Sequence, residues 1–457
     1  MENVIDPYIA PKGSVSLTIN GHFDKIGAFK VRDGLTIVGA QISVNNVLGL
    51  YQFLDEGSGT NNQLMAVVTT VLYRLSGGTW TSKLTGLTSS LKMRFTSFLD
   101  YVFITNGTDA VNTWDGSGSA FGTANAVSAP TGKFIERFKN RVWISCTATY
   151  PSRLFYSSLP STDATPVITW SASNYIEISP GDGEDVTGQK RFDRTLYVFK
   201  ENFTYPVYSK DQTEPDAIIN VGTMSHESID VAKDGMYWHH WSGIYRLRRG
   251  EGQPKEISKP VDDIIKVITL ANYSNVTTWH DNDHVYFSVG TVTVNGITIT
   301  ACVLRWTISS EIWTVYSYPT QFLCAAQYQN GTNIVQVVGD TTGKIHTVNS
   351  GVTDNSTPIN YLLETQWWDG GQRHLQKTIE KMNVVSESAT GAKVSWRSER
   401  DTGNVFNKVG SVTGFNTILD NLDIRGSRLK LTVSGSSTGT PAVFSGFELL
   451  TYTTNEI

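Results

Sequence analysis

The stretch KRFDRTLYVFKEN, residues 190–202, decides how the rest of the chain is read. Leu196, Tyr197, Val198 and Phe199 form a short apolar run, and Arg191, Asp193, Arg194, Lys200 and Glu201 crowd around it. Asp193, Lys200 and Glu201 are residue types that could make an acid/base set at a strand end. The competing reading makes Asp193 the turn residue of a hairpin that occurs many times.

The pattern does recur. A polar turn residue precedes a short aromatic–aliphatic strand in NNQLMAVV from Asn61, FLDYVFIT from Phe98, FKNRVWISC from Phe138 and FDRTLYVF from Phe192. It returns in AKDGMYWHH from Ala232, DNDHVYFSVG from Asp281 and QNGTNIVQVVGD from Gln329. The turn residues are Asn62, Asp100, Asn140, Asp193, Asp234, Asp283 and Asn333, at steps of 38, 40, 53, 41, 49 and 50 residues. A turn Asp or Asn that hydrogen-bonds its own backbone accounts for every copy, whereas a catalytic carboxylate would account for one. Hairpins repeating every 40 to 50 residues predict propeller blades, because one small sheet cannot cover its own apolar faces and must stack on neighbours around an axis. The expected fold class is all-β: a β-propeller of six to eight blades, seven copies being visible, with a C-terminal antiparallel β-domain. A string of Greek-key sandwiches is the rival architecture.

Bulk composition agrees. Only 17% of the 457 residues are charged while 11% are aromatic, and Gly (40) far outnumbers Pro (14), which favours strands and turns. The net charge of −5 gives no global basic field for nucleic acid. The basic run Arg246-Leu247-Arg248-Arg249 reads as a solvated hairpin. MENVIDPYIAPKG at the start lacks a secretion signal, and no apolar run reaches the ~18 residues of a membrane span. Cys146, Cys302 and Cys324 are odd in number without metal-site spacing, so buried thiols are expected.

Beyond Gly351 the character changes. GVTDNSTP reads as a linker, followed by long alternating segments such as KTIEKMNVVSES and SRLKLTVSG. The expected division is 1–35, an N-terminal arm and lead-in strand; 36–351, the propeller; and 352–457, an antiparallel sandwich-like domain.

Other candidate chemistry reduces to structure. In WHDNDH, His280, Asp281, Asp283 and His284 could suggest a metal, but they fall on a repeat turn. His239 and His240 lie on one strand, where neighbours face opposite sides. PGDGEDVTG, residues 180–188, does not have the spacing of a calcium loop. The Asp box of sialidase-type propellers is absent, LSGGTW at 75–80 keeping only its ending. Trp238, Trp241, Trp367 and Trp368 could stack on sugars, although core or inter-blade packing is the preferred reading of such residues. The chain is therefore expected not to be an enzyme, with no catalytic, cofactor-binding or metal residues and no cofactor.

Several stretches together carry a family likeness. They are residues 140–209, which include SNYIEISPGDGEDVTGQKRFDRTLYVFKENFTYPVYS; VGTMSHESIDVAKDGMYWHHWSGIYRL (221–247); KEISKPVDDIIK (255–266); and the closing DIRGSRLKLTVSG and FSGFELLTY. With NGHFDKIGAFKVRDGL (20–35), this succession resembles the β-propeller tail nozzle, or tail-hub, proteins of short-tailed bacteriophages, which include the packaged-DNA-stabilisation proteins. The likeness spans nearly the whole chain but is one of pattern, without a catalytic motif. It implies a structural virion protein made in the bacterial host cytoplasm and built into the tail as a homohexameric ring. Portal and adaptor proteins would lie above it and spike, fibre or needle proteins below, with genomic DNA retained in and passed through the ring channel without sequence-specific binding or membrane insertion. The alternative is a receptor-binding or glycan-degrading tail propeller.

Overall fold

The computed structural model describes residues 15–24, 27–55, 62–161, 167–331, 333–372, 374–398 and 408–456. Residues 1–14 of the expected arm lie outside these. The chain is nearly all-β, organised as many small sheets, and among the described residues its helices are short turns such as Asp262–Ile265 and Leu270–Tyr273.

Among the described residues, seven antiparallel sheets follow one another in sequence. Their first two strands are Val47–Phe53 and Gln63–Val68, Arg94–Phe98 and Tyr101–Thr105, Gly132–Phe138 and Arg141–Thr147, and Gly188–Phe192 and Thr195–Phe199. Then come Asp230–Val231 and Gly235–His240, Thr277–His280 and His284–Val294, and Phe322–Asn330 and Asn333–Asp340. Asn62, Asp100, Asn140, Asp193, Asp234, Asp283 and Asn333 all sit at the turn between those two strands, or on the residue opening the second. The backbone chemistry is that of tight hairpins. Leu99 and Asp100, and Lys139 and Asn140, have paired positive φ values, the conformation of a two-residue turn matched to strand twist.

Strand alternation explains the stacking. Within Thr195–Phe199, Leu196 and Val198 pack with Trp143 and Leu154 of the third sheet, while Phe199 packs with Met236 and Trp238 of the fifth. Each strand thus serves two interfaces. The same sharing links first to second (Met65 with Val102), second to third (Phe103 with Ile144), fifth to sixth (Tyr237 with Phe287) and sixth to seventh (Tyr286 with Val338). A further apolar layer joins the seventh to the first, through Val337 and Ile345 with Val47 and Ala66. The seventh sheet takes its outer strand, Leu35–Ile37, from the beginning of the chain, paired with Ile345–Val348.

The remaining strands form two facing sheets around Phe29, Tyr361, Met382, Trp396, Leu431 and Phe444. Residues read from sequence as an arm contribute directly. Val15–Ile19 pairs with Ile359–Thr365, and Ala28–Val31 pairs with Val443–Glu456. Val15–Ile19 also pairs in parallel with Ile312–Ser317 of the sixth small sheet, so one nine-stranded sheet runs through both parts of the molecule.

Arg32 locks this junction. It is 1% exposed, and all five of its N–H groups find acceptors. Nε donates to Asn20 Oδ1 (2.8 Å), Nη1 to Asp33 O and Asp354 Oδ1 (3.0 and 2.8 Å), and Nη2 to Ser317 O and Asp354 Oδ2 (2.8 and 2.5 Å). The guanidinium also lies 3.9 Å from the Tyr318 ring centroid. The lead-in segment, the sixth sheet and the 351–358 linker therefore meet on one side chain.

Candidate functional site

The first strands of six of the seven sheets face a common cavity of about 180 Å³. Its lining includes Tyr51, Arg94, Lys190, Asp230, Thr278 and Ala325 from those strands. His226 and Glu227 enter from a short turn, His226–Ser228, that precedes the two-residue first strand of the fifth sheet.

Charge in the cavity is mostly paired. Glu227 accepts from Arg94 Nε at 3.0 Å and from Lys92 Nζ at 3.1 Å, which ties the second sheet to the turn before the fifth. Burial would raise the Glu227 pKa, but Arg94 and Lys92 outweigh it and hold the carboxyl far below its usual range. Asp230 lies 2.6 Å from His280 Nδ1. Burial opposes that pair too, yet the hydrogen bond raises the His280 pKa and lowers that of Asp230. His226, half-buried beside the Phe134 ring, is pushed down to about 3 by desolvation and is neutral at physiological pH. Glu136, half-buried and close enough to feel the Lys190 charge, is shifted upward by desolvation.

The residues considered from sequence are not assembled into one site. Asp193 is exposed at one end of its strand, whereas Lys200 and Glu201 follow the other end. Seven residues of extended chain, at roughly 3.3 Å each, keep them from sharing a substrate. Lys200 is fully buried and donates to both oxygens of Asp182 (2.7 Å each) and to Ser179 O (3.0 Å). Glu184 accepts from the Asn202 side chain at 2.6 Å and from its backbone N–H at 3.1 Å. The acidic loop 180–188 is thus clipped to the end of the 190–202 stretch.

WHDNDH disperses its side chains. His280 takes Asp230; Asp281 accepts from His284 and from Tyr286 Oη; Asp283 accepts from Lys233 and Ser309. His239 packs on Tyr273 and His240 bonds Ser242, both held neutral by burial, at about 3 and about 4. Among the described residues no group of three or more His, Cys, Asp or Glu is placed to hold a metal. Cys146, Cys302 and Cys324 are buried free thiols.

Trp238 is fully buried between the fourth and fifth sheets. Trp368 meets Tyr452 edge-on and Trp367 lies near Lys430, whereas Trp241 is 51% exposed beside Asn202. Sequence reasoning missed the central cluster because its members come one or two at a time from separate copies. VGTMSHESID did carry a signal, since polar residues stand where a repeat strand should begin.

No family model matches the sequence, and no curated protein does. Among solved structures, the chain is similar to the computationally designed Ika8 protein (TM-score 0.41, 10% identity, 69% of this chain and 99% of that one). It is also similar to YCF48 bound to D1 peptide (0.43, 11%, 69% and 95%) and to the AfRom2 CNH domain (0.43, 11%, 69% and 99%). Likeness at this level assigns no function.

Proposed function

We propose that the chain is a structural protein of a bacteriophage virion tail, forming a nozzle or head-closure ring that retains packaged DNA and conducts it during ejection. The observation that carries the reading is the nine-stranded sheet shared by the small sheets and the two-sheet domain, locked by Arg32. Two units joined by a continuous hydrogen-bonded sheet cannot swing on a linker, which suits a part that bears load and must not open. The sequence likeness to tail nozzle proteins supplies the rest.

In this reading the seven sheets are blades of one closed propeller. The apolar layer from seventh to first sheet and the borrowed strand Leu35–Ile37 support closure. A cavity of about 180 Å³ is far too small for duplex DNA, whose major groove alone is about 12 Å wide. The DNA conduit therefore belongs between copies of the chain, around a sixfold axis, with heterologous contacts closing the ring. The proposal assigns no catalysis to the chain, and portal or adaptor proteins and spike, fibre or needle proteins as its neighbours. No helix among the described residues is long and apolar enough to cross a membrane.

Light scattering on the purified chain tests this. Six copies of 50.4 kDa give about 300 kDa. A mass of one or three copies, or release of reducing sugar from host polysaccharide by the protein, overturns the proposal in favour of a glycan-directed tail protein, for which Trp241 is the exposed aromatic.

A further inference from the structure

We propose that the central cavity binds one small oxyanion of the inorganic phosphate or sulfate class, held by Lys190 with Thr278 and His226. The inference is independent of the tail reading.

The charges around the cavity do not cancel locally. Lys92 and Arg94 are both engaged by Glu227, and Asp230 is engaged by His280. Lys190 enters from the strand Gly188–Phe192 and has no carboxylate within ion-pair distance among the described residues, although Glu136 and Asp230 feel its charge from further away. Lys190 is half-buried, and a small anion in the cavity would give its ammonium a close partner of opposite charge.

Two further polar side chains line the same space. Thr278 is 7% exposed, lines the cavity, and its buried Oγ1 has no hydrogen-bond partner. His226 Nδ1 accepts the Gln189 backbone N–H at 3.4 Å, so the proton of the neutral imidazole resides on Nε2. An ammonium, a hydroxyl and an imidazole N–H are what a tetrahedral oxyanion takes up. Water could fill the same space, since polar cavities of this size hold ordered water. Water satisfies Thr278 and His226 but leaves the Lys190 charge unmatched. The Glu227 and Asp230 carboxylates on the wall restrict the occupant to a small ion seated on the Lys190 side.

Calorimetric titration of the full-length chain with inorganic phosphate, against chloride at matched ionic strength, tests the proposal. The expected result is saturable binding of one phosphate per chain, weakened at least tenfold by Lys190→Gln, severalfold by Thr278→Val, and unchanged by the surface control Lys210→Gln. Should Lys190→Gln fail to fold, Lys190→Arg keeps the charge and must retain binding while Thr278→Val weakens it severalfold. Absence of saturable binding by the unaltered chain means the cavity holds water and overturns the proposal. Equal affinity in the Lys190→Gln and unaltered proteins overturns it as well.

Discussion

Two buried polar clusters in this molecule are built on opposite plans. At Arg32, one guanidinium has every donor matched, and its counter-ion Asp354 is 5% exposed. In the central cavity, Glu227 is bridged twice over while Lys190 lacks a close carboxylate and Thr278 Oγ1 lacks a partner. A fully matched network fixes one geometry and has nothing left to offer a ligand. An incompletely matched one around open space retains binding capacity. The first is where stability resides, and the second is where chemistry toward another molecule can occur.

The largest expected effect breaks the matched cluster. Arg32→Met leaves Asp354 buried without its cation and should cost about 3–5 kcal/mol in urea unfolding. The double change Arg32→Met, Asp354→Leu should recover a good part of that loss, because the uncompensated charge goes as well. A double variant no more stable than the single one would mean that Arg32 acts through its contacts to Asn20 and Ser317 instead.

Asp340 carries the comparison into pH. It is 1% exposed, and burial alone would raise its pKa. His346 at 3.0 Å and the backbone N–H groups of Thr342 and Lys344 reverse that and hold it at about 2. A depressed carboxylate contributes stability that is present above its unfolded value of 3.8 and lost as pH falls toward 2. The contribution is about 2 kcal/mol. Asp340→Asn should therefore lose about that much at pH 7 and show a flatter stability profile between about pH 4 and pH 2 in the same unfolding assay.

Arg94→Met should cost less than Arg32→Met, about 1–2 kcal/mol, because Lys92 still pairs Glu227. Equal losses would erase the distinction between the two clusters. Smallest of all, Asn140→Ala places a Cβ-bearing residue without a polar side chain at φ 56°, and should cost about 1 kcal/mol. Asn140→Gly should be nearly neutral by thermal unfolding.

How much was legible in the sequence follows the same division. KRFDRTLYVFKEN showed a turn at Asp193 and a two-faced strand at Leu196–Phe199 because both signals are local: turn chemistry and period-two alternation. Repetition made them visible seven times. The mate of Lys200 was not legible, since Asp182 lies across a loop and was read only as part of an acidic run. Nor was the role of 15–31, whose strand pairs reach across more than 300 residues to Ile359–Thr365 and Val443–Glu456. Pairing over that distance leaves no periodicity to detect. The Arg32–Asp354 lock and the central cavity belong to the same class, being assembled only when distant segments meet.

The proposed function requires copies of this chain to assemble into a ring that conducts DNA. Negative-stain imaging of the purified full-length protein tests it most directly. The account predicts sixfold rings with an open central channel. Isolated monomers or compact trimers, at concentrations where the chain is folded, would contradict it.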